Sequence, residues 1–203
     1  HDQFVVATIQ GGAGTSTNMS ANEVVANAAL EELGASRGAY SRLDPHNHVN
    51  LCQSTNDVYP TALKLALNWM LGDLIAALAH YADVCGAKAA EFQGLLKIGR
   101  TQLQDAVPMT LGQEFGTYET MAREDMQRLE ESRSLLEEIN IGGTAIGTGI
   151  NTPPAYVPGV VSHLCELTGL HLISAGNLVE APQDVGSFVQ LSGVLQRVAL
   201  KSS

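Results

Sequence analysis

From Thr61 to about Phe92 good helix formers run almost unbroken, interrupted only by Gly72 and Gly86, and Pro60 stands where a first helical residue would. This run constrains the fold more than any other feature. It is apolar on both faces, at Leu63, Leu67, Met70, Leu71, Leu74, Leu78 and Tyr81, so the helix it predicts needs other helices around it. The single Trp69 is expected in that core. Its most apolar stretch, from Leu65 to Ala79, is broken by Asn68 and Asp73 and makes a poor membrane span.

The remaining elements are also helical in period. Ser20-Ala-Asn-Glu23 has the form of a capping box, and the apolar spacing after it predicts a helix that Gly34 stops. Residues 34–56, rich in Gly, Ser, Asp, Asn and His, predict irregular structure with a short helix at most. Thr110-Leu-Gly-Gln113 reads as a second capping box, and Leu111, Phe115, Tyr118, Ala122, Leu129 and Leu136 follow near a bundle rhythm to about Ile139. A shorter helix is expected over Tyr156 to Thr168. A last one is expected from about Asp184, with Phe188, Leu191, Leu195 and Val198 on one face. No strand is predicted. The expected class is mainly α, a bundle of long helices joined by polar loops. With 203 residues, 45% of them hydrophobic, the chain can bury a core, as one domain or as a piece of a larger protein. It opens at His1 and stops at Lys201-Ser202-Ser203 inside an apolar helical pattern, so both ends are expected to be cut.

The net charge of −10 comes from acidic residues spread along the chain, which disfavours a nucleic-acid or anionic-membrane partner. An anionic ligand would therefore need local donors such as hydroxyls, amides and backbone N–H groups. Cys52, Cys85 and Cys165 are odd in number and widely spaced, as expected of reduced thiols in a cytoplasmic protein, where they would serve packing. His46, His48 and Cys52 lack a fourth ligand at a familiar spacing, so no metal is expected, and His80, His163 and His171 read as structural.

Four segments carry unusual chemistry. Gly11-Gly12-Ala13-Gly14-Thr15-Ser16-Thr17-Asn18 sets hydroxyls and an amide before a helix start, where unpaired N–H groups favour anions; from spacing alone, a Gly-rich turn with plain helix capping is the preferred account. With no Lys after the glycines it is not a nucleotide loop, and no cofactor is expected. Gln53-Ser54-Thr55-Asn56-Asp57 repeats the arrangement, with the same two readings. Gly99-Arg100-Thr101-Gln102-Leu103-Gln104-Asp105 has no apolar period and reads as a loop. Residues 141–149 hold four glycines, permitting close backbone approach to a ligand or to a helix.

In this order, over nearly the whole chain, these segments resemble the aspartase and class II fumarase superfamily. The first block continues through Met19 and Ala21-Asn22-Glu23-Val24, the second through Tyr59-Pro60-Thr61, the third through Ala106-Val107-Pro108. Thr55 in the second block and Gln102 in the third are the choices of the aspartase branch, as is Asn177-Leu178-Val179-Glu180-Ala181; Ile141-Gly142-Gly143-Thr144 leans toward the fumarase form. The resemblance implies a lyase that converts L-aspartate reversibly to fumarate and ammonia through an aci-carboxylate intermediate. It also implies a homotetramer whose central bundle assembles each active site from three subunits. On that pattern residues 1–56 close an N-terminal domain and carry the first substrate segments. Residues 57–203 belong to the central long-helix domain, expected to be incomplete at its C-terminal end. The implied substrate residues are Thr15, Ser54 and Thr55 for the β-carboxylate, Thr101 for the α-carboxylate, and Asn56 with Gln102 for the amino group.

The family's general base is a Ser on a mobile loop, and no residue here matches it, so no catalytic residue is assigned in this sequence. A chain ending at Ser203 is then expected to assemble without turnover. Where the family usually reads His-Pro-Asn-Asp, this chain has Asp44-Pro45-His46-Asn47, which puts a secondary carboxylate site in doubt. Two alternatives stand beside the lyase: a class II fumarase hydrating fumarate, and a catalytically silent helical oligomer.

Overall fold

The long apolar run forms α2, Thr55–Glu91, which starts before the expected Pro60 and carries that proline inside it. A proline lacks the N–H that would bond the carbonyl four residues back. Here that carbonyl is Asn56 O, and Asn140 Nδ2 donates to it at 3.0 Å, so the group stays satisfied and the helix continues through. By length and apolarity α2 would also pass for a membrane-crossing helix. The computed structural model describes residues 2–7, 9 and 12–202. It divides into two compact units, His1–Ala66 with Glu137–Val185 and Leu67–Leu136 with Gly186–Ser203.

The first unit holds α1 (Thr15–Glu32), a one-turn π-helix (Pro45–Val49), the opening turns of α2, β3 (Glu138–Ile139), α4 (Tyr156–Thr168) and β4 (Ile173–Ser174). α1 begins earlier than the Ser20 box suggested, directly after a left-handed Gly14, so Ser20 to Glu23 lie mid-helix. It ends as expected at Gly34: Gly34 N and Ala35 N return to the carbonyls of Glu31 and Leu30 in a Schellman closure. In the π-turn, Asp44 Oδ1 accepts from the backbone N–H groups of His46 and Asn47, and His48 Nδ1 accepts from Asp44 N. Strands β3 and β4 pair in parallel. Ile139, Ile141 and Leu172 form the buried core, packed by Val58, Leu65, Val160, Val161 and Leu164.

The second unit holds the rest of α2, β1 (Leu96–Thr101), β2 (Gln104–Thr110), α3 (Leu111–Ser134) and α5 (Gly186–Ser202). Its core is Leu71, Leu129, Leu136, Leu191 and Val198, with Leu67, Leu74, Ile75, Leu78 and Val194 against it. The Thr110 box is real: Gln113 N donates to Thr110 Oγ1 at 3.0 Å and Thr110 N to Gln113 Oε1 at 2.9 Å. Buried Asp125 on α3 receives Lys201 Nζ at 2.8 Å and Arg197 Nε at 3.1 Å from α5.

Three further expectations are corrected. The third segment is an antiparallel hairpin, β1 with β2, and not a loop. Its exposure on both faces removes the apolar alternation by which a strand is recognised. α3 stops at Ser134 short of Ile139, because Glu138 and Ile139 pair with β4. Trp69 is 53% exposed, since α3 and α5 cover the flank of α2 that carries Leu71, Leu74 and Leu78.

Candidate functional site

In the first unit three of the polar segments converge. The second block turns into α2 at Thr55, and its Asp57 is fully buried. The Asp57 carboxylate accepts from Ser54 N at 2.9 Å through Oδ1, and from Gly142 N at 3.0 Å and Thr144 N at 2.8 Å through Oδ2. It thereby fastens the start of α2 to the Gly-rich segment. Burial pushes the Asp57 carboxyl above the ordinary aspartate value, against the pull of the N–H groups of Ser54, Thr144 and Gly142. Thr61 Oγ1 donates to Asp57 O at 2.7 Å, extending the same knot.

The Gly-rich segment is shaped by contact as well as by bonding. Gly147 has φ +88°, and a Cβ there would lie 1.8 Å from Leu178 O, so the backbone is seated against the Asn177 to Ala181 segment. Thr144, at φ +60°, takes the left-handed conformation that presents its N–H to Asp57. Asn56 Nδ2 donates to Ala145 O at 2.7 Å, which fixes that amide with its nitrogen on the backbone and its Oδ1 facing away.

The first block joins through α1. Asn18 and Asn22, both buried, lie one turn apart; Asn18 Nδ2 donates to Thr55 Oγ1 at 3.0 Å and to Asn50 Oδ1 at 3.3 Å. Asn22 Nδ2 donates to Asn50 Oδ1 at 3.0 Å. Gly14 packs on Tyr59, whose ring would lie 2.6 Å from an added Cβ. Thr15 is the exposed first residue of α1, at the helix end where backbone donors favour an anion. Gly11 of this block lies outside the described residues.

Two cavities open beside this knot. One of about 360 Å³ is lined by Thr55, Asn56, Pro60, Ala145, Val179 and Gln183, among others. The other, of about 590 Å³, is lined by His46, Asn50, Cys52, Ser54, Thr144 and Asn151, among others. Ala145 and Ile146 border both. The first cavity offers a hydroxyl and an amide within a partly apolar wall, a set suited to a small polar acid.

Thr101 and Gln102 belong to the second unit, at the tip of the β1–β2 hairpin. Gln102 and Leu103 form its two-residue connection with φ of 47° and 64°, and Leu103 is 93% exposed. Such turns favour Asn-Gly, so placing Gln and Leu there costs on the order of 1 kcal/mol for each residue. Of the expected residues the structure therefore gathers Ser54, Thr55 and Asn56, places Thr15 at the helix start, and carries Thr101 and Gln102 on the hairpin. The sequence assigns no role to Asn22, Asn50, Asp57 or Asn140, and the Asn18 amide, expected as a donor or cap before a helix start, lies inside α1 and bonds Thr55 and Asn50. The available signal was the one-turn spacing of Asn18 and Asn22.

A family model described as Lyase matches residues 1–202. Aspartate ammonia-lyase of Helicobacter pylori is 53% identical over 203 residues, which is 100% of this chain and 43% of that protein. A cobalt-bound structure titled fumarate lyase:delta crystallin from Brucella melitensis superposes with TM-score 0.97 at 54% identity, covering 98% of this chain and 44% of that one. A class II fumarase from Schistosoma mansoni gives TM-score 0.90 at 34% identity, covering 98% and 45%. The chain thus spans 43% of the length of the Helicobacter relative.

Proposed function

The chain belongs to the lyase family, and on that premise we propose that its protein is an aspartate ammonia-lyase, converting L-aspartate reversibly to fumarate and ammonia. The observation that carries this reading is the pairing of Thr55 and Asn56 on one cavity wall. Asn56 is held by its nitrogen to Ala145 O, which leaves Oδ1 as an acceptor for an ammonium group. Thr55 supplies a hydroxyl donor for a carboxylate. Donor and acceptor side by side match the two ends of an amino acid.

The chemistry follows from where charge develops. Transfer of the Cβ proton to a base drives the C–H bond pair into the β-carboxylate as an aci-carboxylate; that pair then returns to form the Cα=Cβ bond as the amino group leaves with the Cα–N bond pair. Hydroxyls of Thr15, Ser54 and Thr55 would stabilise that charge, and those of Ser54 and Thr55 are already held by Asn56 N and Asn18 Nδ2. Thr101 takes the α-carboxylate, and Gln102 joins Asn56 on the amino group.

We place Thr101 and Gln102 in the site through a homotetramer in which several subunits share each active site. The exposure of the hairpin tip supports this, as do Trp69, Met70, Tyr81 and Val84 along α2, exposed by 53, 67, 49 and 46%. Residues 1–56 then close an N-terminal domain, and 57–203 enter the central helical domain.

The test uses the protein at its full natural length. Thr101→Ala and Asn56→Ala should each weaken L-aspartate use by roughly 1–3 kcal/mol, seen as a fall in kcat/KM. Unchanged kinetics in both would remove these assignments. A fumarase remains the second reading because Ile141-Gly142-Gly143-Thr144 leans that way; turnover of L-malate would carry it.

A further inference from the structure

A hydroxyl beside a cavity can face a ligand as donor or acceptor, and the environment of Thr55 decides which. The decision begins at the Gln53 carbonyl, a group that can only accept. Asn50 Nδ2 donates to it at 3.4 Å, so Asn50 turns Oδ1 the other way. That oxygen accepts from both Asn22 Nδ2 at 3.0 Å and Asn18 Nδ2 at 3.3 Å. The same Asn18 nitrogen donates to Thr55 Oγ1 at 3.0 Å. An N–H directed at that oxygen excludes the hydroxyl hydrogen from the same side, since two hydrogens cannot share the contact. Asn18 is 5% exposed and Asn22 7%, so water does not readily replace these bonds.

We propose that Asn18 is a positioning residue that turns the Thr55 hydroxyl hydrogen toward the 360 Å³ cavity and makes Thr55 a dedicated donor to a carboxylate. This rests on the reading of Thr55 as a substrate ligand. Asn18 touches no substrate; it acts through Thr55, and its polarity is inherited from the Gln53 carbonyl through Asn50. The network is thus a polarity relay of neutral amides, and it makes the Thr55 end of the cavity selective for a carboxylate without a cation there.

A double-mutant cycle tests it, read as KM for L-aspartate and as inhibition by succinate, an unreactive dicarboxylate. Thr55→Val keeps the shape and removes the hydroxyl, and should weaken succinate about tenfold. Asn18→Ala frees the hydroxyl to turn and should weaken succinate several-fold. The two changes together should be no worse than Thr55→Val alone. In a Thr55→Ser background, which restores the hydroxyl, Asn18→Ala should matter again. Multiplying effects in the double variant, or normal succinate binding in Asn18→Ala, overturns the proposal. Normal binding in Thr55→Val is a different failure, since it removes Thr55 as a ligand and this inference with it. Melting temperature confirms folding; if Asn18→Ala does not fold, Asn18→Ser, too short to span to Thr55, takes its place under the same criteria.

Discussion

The two compact units are ordered by different physics. In the second, buried leucines on α2, α3 and α5 interdigitate, and polar groups enter the interior chiefly as the Asp125 ion pairs and the Asn68 to Arg133 bond. In the first, the apolar core of Ile139, Ile141 and Leu172 sits beside a knot in which Asp57, Asn18, Asn22, Asn50, Asn56 and Asn140 all bond across segments. Apolar packing is tolerant of conservative change and non-directional, so it suits a scaffold. Buried polar bonding is directional, and each lost partner leaves a group unsatisfied. It therefore suits a place where donors must be held at fixed angles.

The contrast can be broken from either side. Leu129→Ala, at a fully buried position of the second unit, should cost about 3–5 kcal/mol in chemical denaturation while kcat/KM of the folded fraction stays near the parent value. Gly147→Ala in the first unit should cost about 2–3 kcal/mol, since the new Cβ meets Leu178 O and φ is positive. It should also raise KM by displacing Ala145 and Ile146 at the cavity wall, a split that denaturation and kinetics on one preparation would show. Thr110→Ala removes the α3 cap and should cost about 1 kcal/mol with KM unmoved. The smallest effect is one of slope. Because burial raises the Asp57 value, its protonated form is favoured by folding, and the associated stability is present below the ordinary aspartate value and lost as pH rises through the folded one. The parent should therefore lose stability relative to Asp57→Asn as pH rises through that window. Parallel denaturation curves across pH would contradict it.

The helices were legible because bundles write their pattern into the sequence. The Thr110 box and the span Tyr156 to Thr168 come out as read, since capping residues and 3.6-residue spacing are local signals. The hairpin was hidden because its strands bury neither face, and its turn uses Gln102-Leu103 in place of a glycine. The start of α2 was misplaced because a proline inside the second turn becomes acceptable only when Asn140, far away in sequence, bonds the freed carbonyl. The same reason hid Asp57: the donors that give it a role lie 85 and 87 residues on, at Gly142 and Thr144. Resemblance supplied the candidate residues as a set, whereas the orientation of the Asn18 and Asn56 amides is visible only in the bonded network.

The most direct test of the central claim is fumarate formation, followed by ultraviolet absorbance, with L-aspartate and L-malate offered in parallel to the protein at its full natural length. Fumarate from L-aspartate, with ammonia in equal amount and none formed from L-malate, is the expected result. Fumarate from L-malate alone would make it a hydratase and contradict the assignment of Asn56 to an amino group, and no fumarate from either would contradict the lyase reading.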